Sequence, residues 1–185
     1  MTRRIDLREH AARMLMRASA SVAPLDFQEA CIVVDAMQPV FVRAGSVFMT
    51  EGEIEDSGYM ALLLEGQARA ESETGLPGDA VVISVIDPGS LVGEMGLIDG
   101  APRSATCTAL TDLKLATLSR ATLQGLVEVQ PAVAARLLLV VARAMSDRLR
   151  ESNRRLRTLS QVTRAVQCEL DAAHAINRRL LARKE

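Results

Sequence analysis

One short stretch carries most of the chemistry available to this chain: Val92-Gly93-Glu94-Met95-Gly96-Leu97-Ile98-Asp99-Gly100-Ala101-Pro102-Arg103-Ser104-Ala105-Thr106. Gly93 and Gly96 let the backbone approach a bound molecule closely. A short helix opening near Glu94 offers amide N–H groups that favour an anion. Arg103 adds a rigid cationic fork suited to two phosphate oxygens, and Ser104 adds a hydroxyl. The Glu94 carboxylate repels a phosphate but accepts hydrogen bonds from a sugar hydroxyl. One cation and one acceptor, nine residues apart across a small turn, suit a ligand with both phosphate and ribose.

Other chemistries are poorly served. Catalysis needs a nucleophile, a base or a metal set. The two histidines, His10 and His174, fall in helical segments away from the strand-rich middle. Glu51, Glu53, Glu55 and Asp56 read as a solvated acidic turn, because they lack the alternating ligands and closing glutamate of a calcium loop. Cys31, Cys107 and Cys168 are odd in number and match no metal-ligand spacing, so free packing thiols in a reducing cytoplasm are expected. The chain therefore reads as a non-enzyme without a metal.

The elements that must position the stretch are legible from texture. Apolar residues at helical spacing predict helices over Ile5–Ala20 and Leu25–Met37, with a break at Ser21–Pro24. Between Pro39 and Leu118 come short β-rich runs: Val40–Arg43, Ser46–Met49, Tyr59–Leu64, Gln67–Glu73, Ala80–Ile86, Ser104–Ala109 and Lys114–Leu118. Turn residues such as Glu65-Gly66, Gly75 to Asp79 and Asp87-Pro88-Gly89 separate them. Many short strands with close turns indicate an antiparallel sandwich or barrel. Ser119 is a good N-cap for a helix over Arg120–Val129. Pro131 suits the first position of another helix, and no glycine or proline follows it up to Lys184. The fold class is α+β: an antiparallel β-barrel or jelly roll flanked by N-terminal helices and a long C-terminal helix.

The hydrophobic fraction, 49%, supports a real core, yet no apolar run approaches the roughly 20 residues of a membrane helix. The N-terminus shows no secretory signal, and a cytoplasmic location is expected. Net charge is −1, but it is unevenly spread. Residues 1–130 carry 10 Lys/Arg against 18 Asp/Glu; residues 131–185 carry 12 against 5. The basic tail includes Arg148, Arg150, Arg154, Arg155, Arg157, Arg164, Arg178, Arg179, Arg183 and Lys184. Such a set attracts nucleic acid or acidic lipid, but it also solubilises an exposed helix, and the second reading is preferred. An apolar stripe through Leu138, Met145, Leu156, Leu159, Val162, Val166, Leu170, Ala173, Ile176 and Leu180 approximates coiled-coil spacing and is interrupted at Ser152.

Gly93-Glu94-Met95-Gly96-Leu97 and Pro102-Arg103-Ser104-Ala105-Thr106 resemble the phosphate-binding cassette of the cyclic-nucleotide-binding domain family. That family includes regulatory subunits of cyclic-AMP-dependent kinase and catabolite-activator regulators. The likeness covers roughly residues 25–155, including the turns at Gly45, Glu51-Gly52-Glu53 and Gly66, and Tyr59. Val92 departs from it, since the family often has an aromatic residue there. The resemblance implies a site of Gly93, Glu94, Met95, Gly96, Arg103, Ser104 and Ala105. Arg103 would pair with the cyclic phosphate, Glu94 would hold the ribose 2′-hydroxyl, and the amides of Met95 and Gly96 with Ser104 would complete the cradle. The implied ligand is cyclic AMP or cyclic GMP, and the helix from Pro131, with Arg143, Met145, Ser146, Asp147 and Arg148, would close over the base.

The expected organisation is an N-terminal helical segment (1–24), a nucleotide-binding domain (25–155) and a basic amphipathic extension (156–185). The expected function is a regulatory sensor that signals through its C-terminal helix to a downstream protein and forms a homodimer along that helix. The alternatives are an interaction scaffold that binds no nucleotide, or a catabolite-activator-class regulator without its own DNA-reading domain. The residues after Leu156 are too few for a winged helix-turn-helix module, so no sequence-specific DNA binding is expected.

Overall fold

The computed structural model describes residues 2–18, 25–55, 58–73 and 80–181. The chain divides into two units, Met1–Ala144 and Met145–Glu185.

The first unit opens with two helices, α1 (Thr2–Arg17) and α2 (Phe27–Ala36). Asp26 starts α2 with a reciprocal cap: its carboxylate accepts the Glu29 N–H at 2.8 Å, and the Glu29 carboxylate accepts the Asp26 N–H at 3.0 Å. Two donors that the first helical turn leaves orphaned are thereby satisfied. Arg8 of α1 grips Asp35 of α2 with both prongs of its fork. The hydrogen bonds to Asp35 raise the Arg8 pKa. Ala11, Ala12 and Leu15 form the buried stripe of α1.

Eight strands follow, interrupted once by a short helix: β1 (Gln38–Val42), β2 (Val47–Met49), β3 (Tyr59–Glu65), β4 (Ala68–Glu73), β5 (Ala80–Ile86), β6 (Leu91–Val92), α3 (Glu94–Asp99), β7 (Thr106–Ala109) and β8 (Leu113–Ser119). They pair antiparallel into two four-stranded sheets, ordered β1-β8-β3-β6 and β2-β7-β4-β5. The architecture is a jelly roll of two open sheets rather than a closed barrel. Met49, Ala61, Leu63, Ala68, Ile86, Val92, Cys107, Ala109, Leu113 and Leu115 fill the space between the sheets. In β3 the alternate residues Met60, Leu62 and Leu64 are buried as well, on the face opposite that core, and α1 packs against this strand. This double burial explains the unbroken apolar run Met60-Ala61-Leu62-Leu63-Leu64, where a half-exposed strand would alternate.

Helix α4 (Arg120–Val129) is capped by the Ser119 hydroxyl, which accepts the Thr122 N–H at 3.1 Å. Helix α5 spans Pro131–Leu181. Within the first unit its residues Val133, Ala134, Leu137, Val140 and Val141 are buried, and Arg136 pairs with Glu29 at 2.6 Å. In the second unit the same helix carries local ion pairs, Arg150 with Asp147 and Arg154 and Arg155 with Glu151. Leu149, Leu156, Leu159, Val162, Val166 and Leu170 there stand between 46% and 63% exposed.

Some local expectations change. Strand β6 was not anticipated; it exists because Leu91 and Val92 pair with Leu62 and Ala61. The strand expected from Ser104 begins at Thr106, because Arg103 is held in a loop. Glu51 is not simply solvated: its carboxylate accepts the Ser72 hydroxyl at 2.8 Å. Cys31 and Cys107 are buried packing residues, whereas Cys168 is an exposed thiol on α5. The break at Ser21–Pro24, the turn at Gly75–Asp79, Asp56, Arg183 and Lys184 lie outside the described residues, as do the side chains of Ala173, Ile176, Arg178, Arg179 and Leu180. Among the described residues no helix is long and apolar enough to cross a membrane.

Candidate functional site

The cassette begins where β6 ends. Gly93 adopts φ +75°, a left-handed conformation that costs other residues roughly 1–2 kcal/mol. Space demands glycine as well. A Cβ at this position would fall on Arg103 Nη1 and lie 2.8 Å from Met49 Cε and 3.1 Å from the Tyr59 carbonyl oxygen. This turn launches α3, with Glu94 as its first residue and Gly96 and Leu97 buried against the body. Gly100 ends the helix at φ +73°, its N–H donating to the Gly96 carbonyl at 3.0 Å.

The loop that returns to β7 carries Arg103, which is fixed twice. Its backbone is strapped to the 51–53 turn: Arg103 N–H donates to the Glu53 carbonyl at 2.9 Å, and Gly52 N–H donates to the Arg103 carbonyl at 2.8 Å. Its side chain reaches inward, where Nη1 donates to the carbonyls of Tyr59 at 2.9 Å and Gly93 at 3.0 Å. The guanidinium carbon lies 4.5 Å from the centroid of the Tyr59 ring, within cation–π range. Tyr59 is anchored in turn, its hydroxyl donating to the Phe48 carbonyl at 3.0 Å. The neighbouring turn is tied down too, since Glu51 N–H donates to the Thr106 hydroxyl at 3.0 Å.

Glu94 is 1% exposed and Arg103 5% exposed, and among the described residues these two are the buried charged side chains. A buried charge is costly unless it meets partners of matching chemistry. The two lie nine residues apart in one short stretch, one cation and one carboxylate. The other expected members are more open. Met95 and Ser104 are exposed, with Ser104 Oγ 3.8 Å from Met95 Sδ, while Ala105 is half-buried. Gly93 and Arg103 are thus brought into direct contact, and Met95 meets Ser104.

Two residues in this neighbourhood were not singled out as functional from the sequence. Tyr59 was noted only as part of a hairpin. Arg120, at the start of α4, donates through Nη2 to the Gly96 carbonyl, and a Cβ on Gly100 would lie 2.9 Å from its Nη1. A cation just after a strand gives no local sign that it reaches back 24 residues. An apolar pocket of about 240 Å³ is lined by Val40, Val42, Phe48, Tyr59, Leu115 and Thr117. It shares Tyr59 with the cassette. Among the described residues no cluster of His, Cys, Asp or Glu is arranged to hold a metal.

Known proteins share this architecture. The family model described as the cyclic nucleotide-binding domain matches residues 39–130. A cAMP-dependent protein kinase regulatory subunit of Yarrowia lipolytica is 35% identical over 86 residues, 46% of this chain and 21% of that protein. A CRP-like cAMP-activated global transcriptional regulator of Mycobacterium tuberculosis is 27% identical over 123 residues, 66% of this chain and 52% of that protein. The chain thus spans between a fifth and about half of these two curated relatives. The crystal structure of a cyclic nucleotide-binding domain from Methylobacillus flagellatus superposes with a TM-score of 0.73 at 26% identity, covering 81% of this chain and 82% of that one.

Proposed function

We propose a function from one premise: this chain belongs to the cyclic nucleotide-binding domain family. It is a regulatory protein that binds cyclic AMP or cyclic GMP in the cassette Gly93–Ala105. Arg103 neutralises the cyclic phosphate. Glu94 accepts the ribose 2′-hydroxyl. The amides of Met95 and Gly96, with Ser104 and Ala105, complete the cradle. The observation that carries this reading is the burial of Glu94 and Arg103, the two buried charged side chains among the described residues, in one short cassette. A phosphate beside a ribose is the ligand chemistry that one cation and one acceptor serve together.

The signal leaves through α5, whose first turns pack into the first unit while its later apolar residues face solvent. Those residues favour a second copy of the chain, giving a homodimer along the helix. The output then passes to a downstream protein. Calorimetric titration of the full chain with cyclic AMP and cyclic GMP tests the reading. Saturable heat with either nucleotide supports it, and no heat at millimolar nucleotide removes it.

A second reading draws on the two hydrogen bonds that hold the Arg103 side chain. Nη1 of Arg103 is already engaged by the carbonyls of Tyr59 and Gly93. On that basis the arginine is a structural strut, and the fold serves as an interaction scaffold without nucleotide. The same titration separates the two.

A further inference from the structure

Arg120 is the first residue of α4, and its backbone N–H is fixed to the Gly58 carbonyl at 2.7 Å. From that anchor the side chain reaches to the far end of α3 and donates to the carbonyl of Gly96 through Nη2. The same carbonyl accepts the N–H of Gly100. The guanidinium therefore supplements the terminal hydrogen bond of the cassette helix and sets a positive charge at its negative end. Gly100 leaves room for it, because a Cβ there would press on Nη1 at 2.9 Å and on Nη2 at 3.1 Å. Nε is buried and, among the described residues, meets no hydrogen-bond partner. That placement carries a desolvation cost, offset by the hydrogen bond that Nη2 makes to the Gly96 carbonyl.

We infer that Arg120 is a positioning residue for the cassette: it locks the C-terminal end of α3 to the junction of β8 and α4, so that the placement of Glu94 and Gly96 depends on a side chain in the following helix. This rests on the proposed nucleotide site. It adds a mechanical link between that site and the helices downstream, because α3 cannot shift without straining or releasing the first residue of α4. Arg120 acts through Gly96, with no need to touch the nucleotide itself.

The experiment compares the full-length wild type with Arg120→Ala, Arg120→Lys and Gly100→Ala. Two readouts are taken: calorimetric affinity for cyclic AMP and cyclic GMP, and amide hydrogen exchange in nucleotide-free protein. Arg120→Ala is expected to weaken nucleotide binding about tenfold or more, the loss of one charge-assisted hydrogen bond. Exchange should quicken at Leu97–Ala101 while the amides of β3 and β8 keep their protection. Gly100→Ala should reproduce both effects by displacing the guanidinium. Arg120→Lys should fall between, keeping the charge but losing the fork. If Arg120→Ala does not fold, Arg120→Lys and Gly100→Ala decide alone. Unchanged affinity and unchanged exchange at α3 overturn the inference, and so does faster exchange spread evenly over the sheets. If the wild type binds neither nucleotide, the proposed function falls, and exchange at α3 alone decides the role of Arg120.

Discussion

Gly93 and Arg103 interlock: the glycine carbonyl accepts Nη1 of the arginine at 3.0 Å, and the space where a Gly93 side chain would stand is filled by that same nitrogen. Backbone conformation and packing thus both require glycine. Gly93→Ala is expected to destabilise the protein by about 1–3 kcal/mol, combining left-handed strain with displacement of Arg103. Urea denaturation followed by circular dichroism measures this directly. A midpoint equal to that of the wild type would contradict it.

Affinity should divide unequally between the two buried charges. Arg103→Ala removes the phosphate partner and should cost about 2–5 kcal/mol of nucleotide binding, thirtyfold or more. Glu94→Ala removes a hydroxyl acceptor and should cost about 1.5–3 kcal/mol. Titration of both variants with the tighter-binding nucleotide gives the ratio. Equal small effects would remove Arg103 and Glu94 from the nucleotide site.

The reciprocal cap at Asp26 makes a stability prediction remote from the cassette. Glu29 is shared: its carboxylate accepts the Asp26 N–H and also meets Arg136 of α5. Asp26→Ala should lower stability by about 0.5–2 kcal/mol through the lost N-cap and leave nucleotide affinity unchanged. Thermal melting and titration on the same sample test both halves of the statement.

Self-association should depend on the second unit. Leu156, Leu159, Val162, Val166 and Leu170 lie along one helix and are exposed. Burying each is worth about 1.5–3 kcal/mol, enough together to offset the cost of pairing two chains. Light scattering should give a dimer for the full chain and a monomer for a truncation ending at Arg157. Monomers in both cases would leave the helix as a docking arm for another protein.

Local signals survived folding where the physics is local. The Ser119 hydroxyl caps α4 within three residues, so Arg120–Val129 was read with its full bounds. The two sheets followed from short strands and turn residues. What stayed hidden depends on distant partners. Strand β6 has two residues and no periodicity of its own, and it appears only through Ala61 and Leu62. The inward turn of Arg103 depends on a carbonyl 44 residues earlier, at Tyr59. Arg120 reaches Gly96 across 24 residues, and nothing in the stretch around either residue announces the contact. Glu51 looked like one more charge in an acidic turn until Ser72 of another strand was seen to meet it. The resemblance thus pointed to the stretch Gly93–Thr106, while the contacts that steady that stretch came from the fold.

The aromatic ring over Arg103 has a practical consequence. This chain has one tyrosine and no tryptophan, so light of a wavelength that phenylalanine does not absorb excites Tyr59 alone. That single fluorophore lies 4.5 Å from the guanidinium carbon. An event that moves that cation is expected to change the tyrosine emission, which a fluorescence titration with nucleotide reads without a dye or a label.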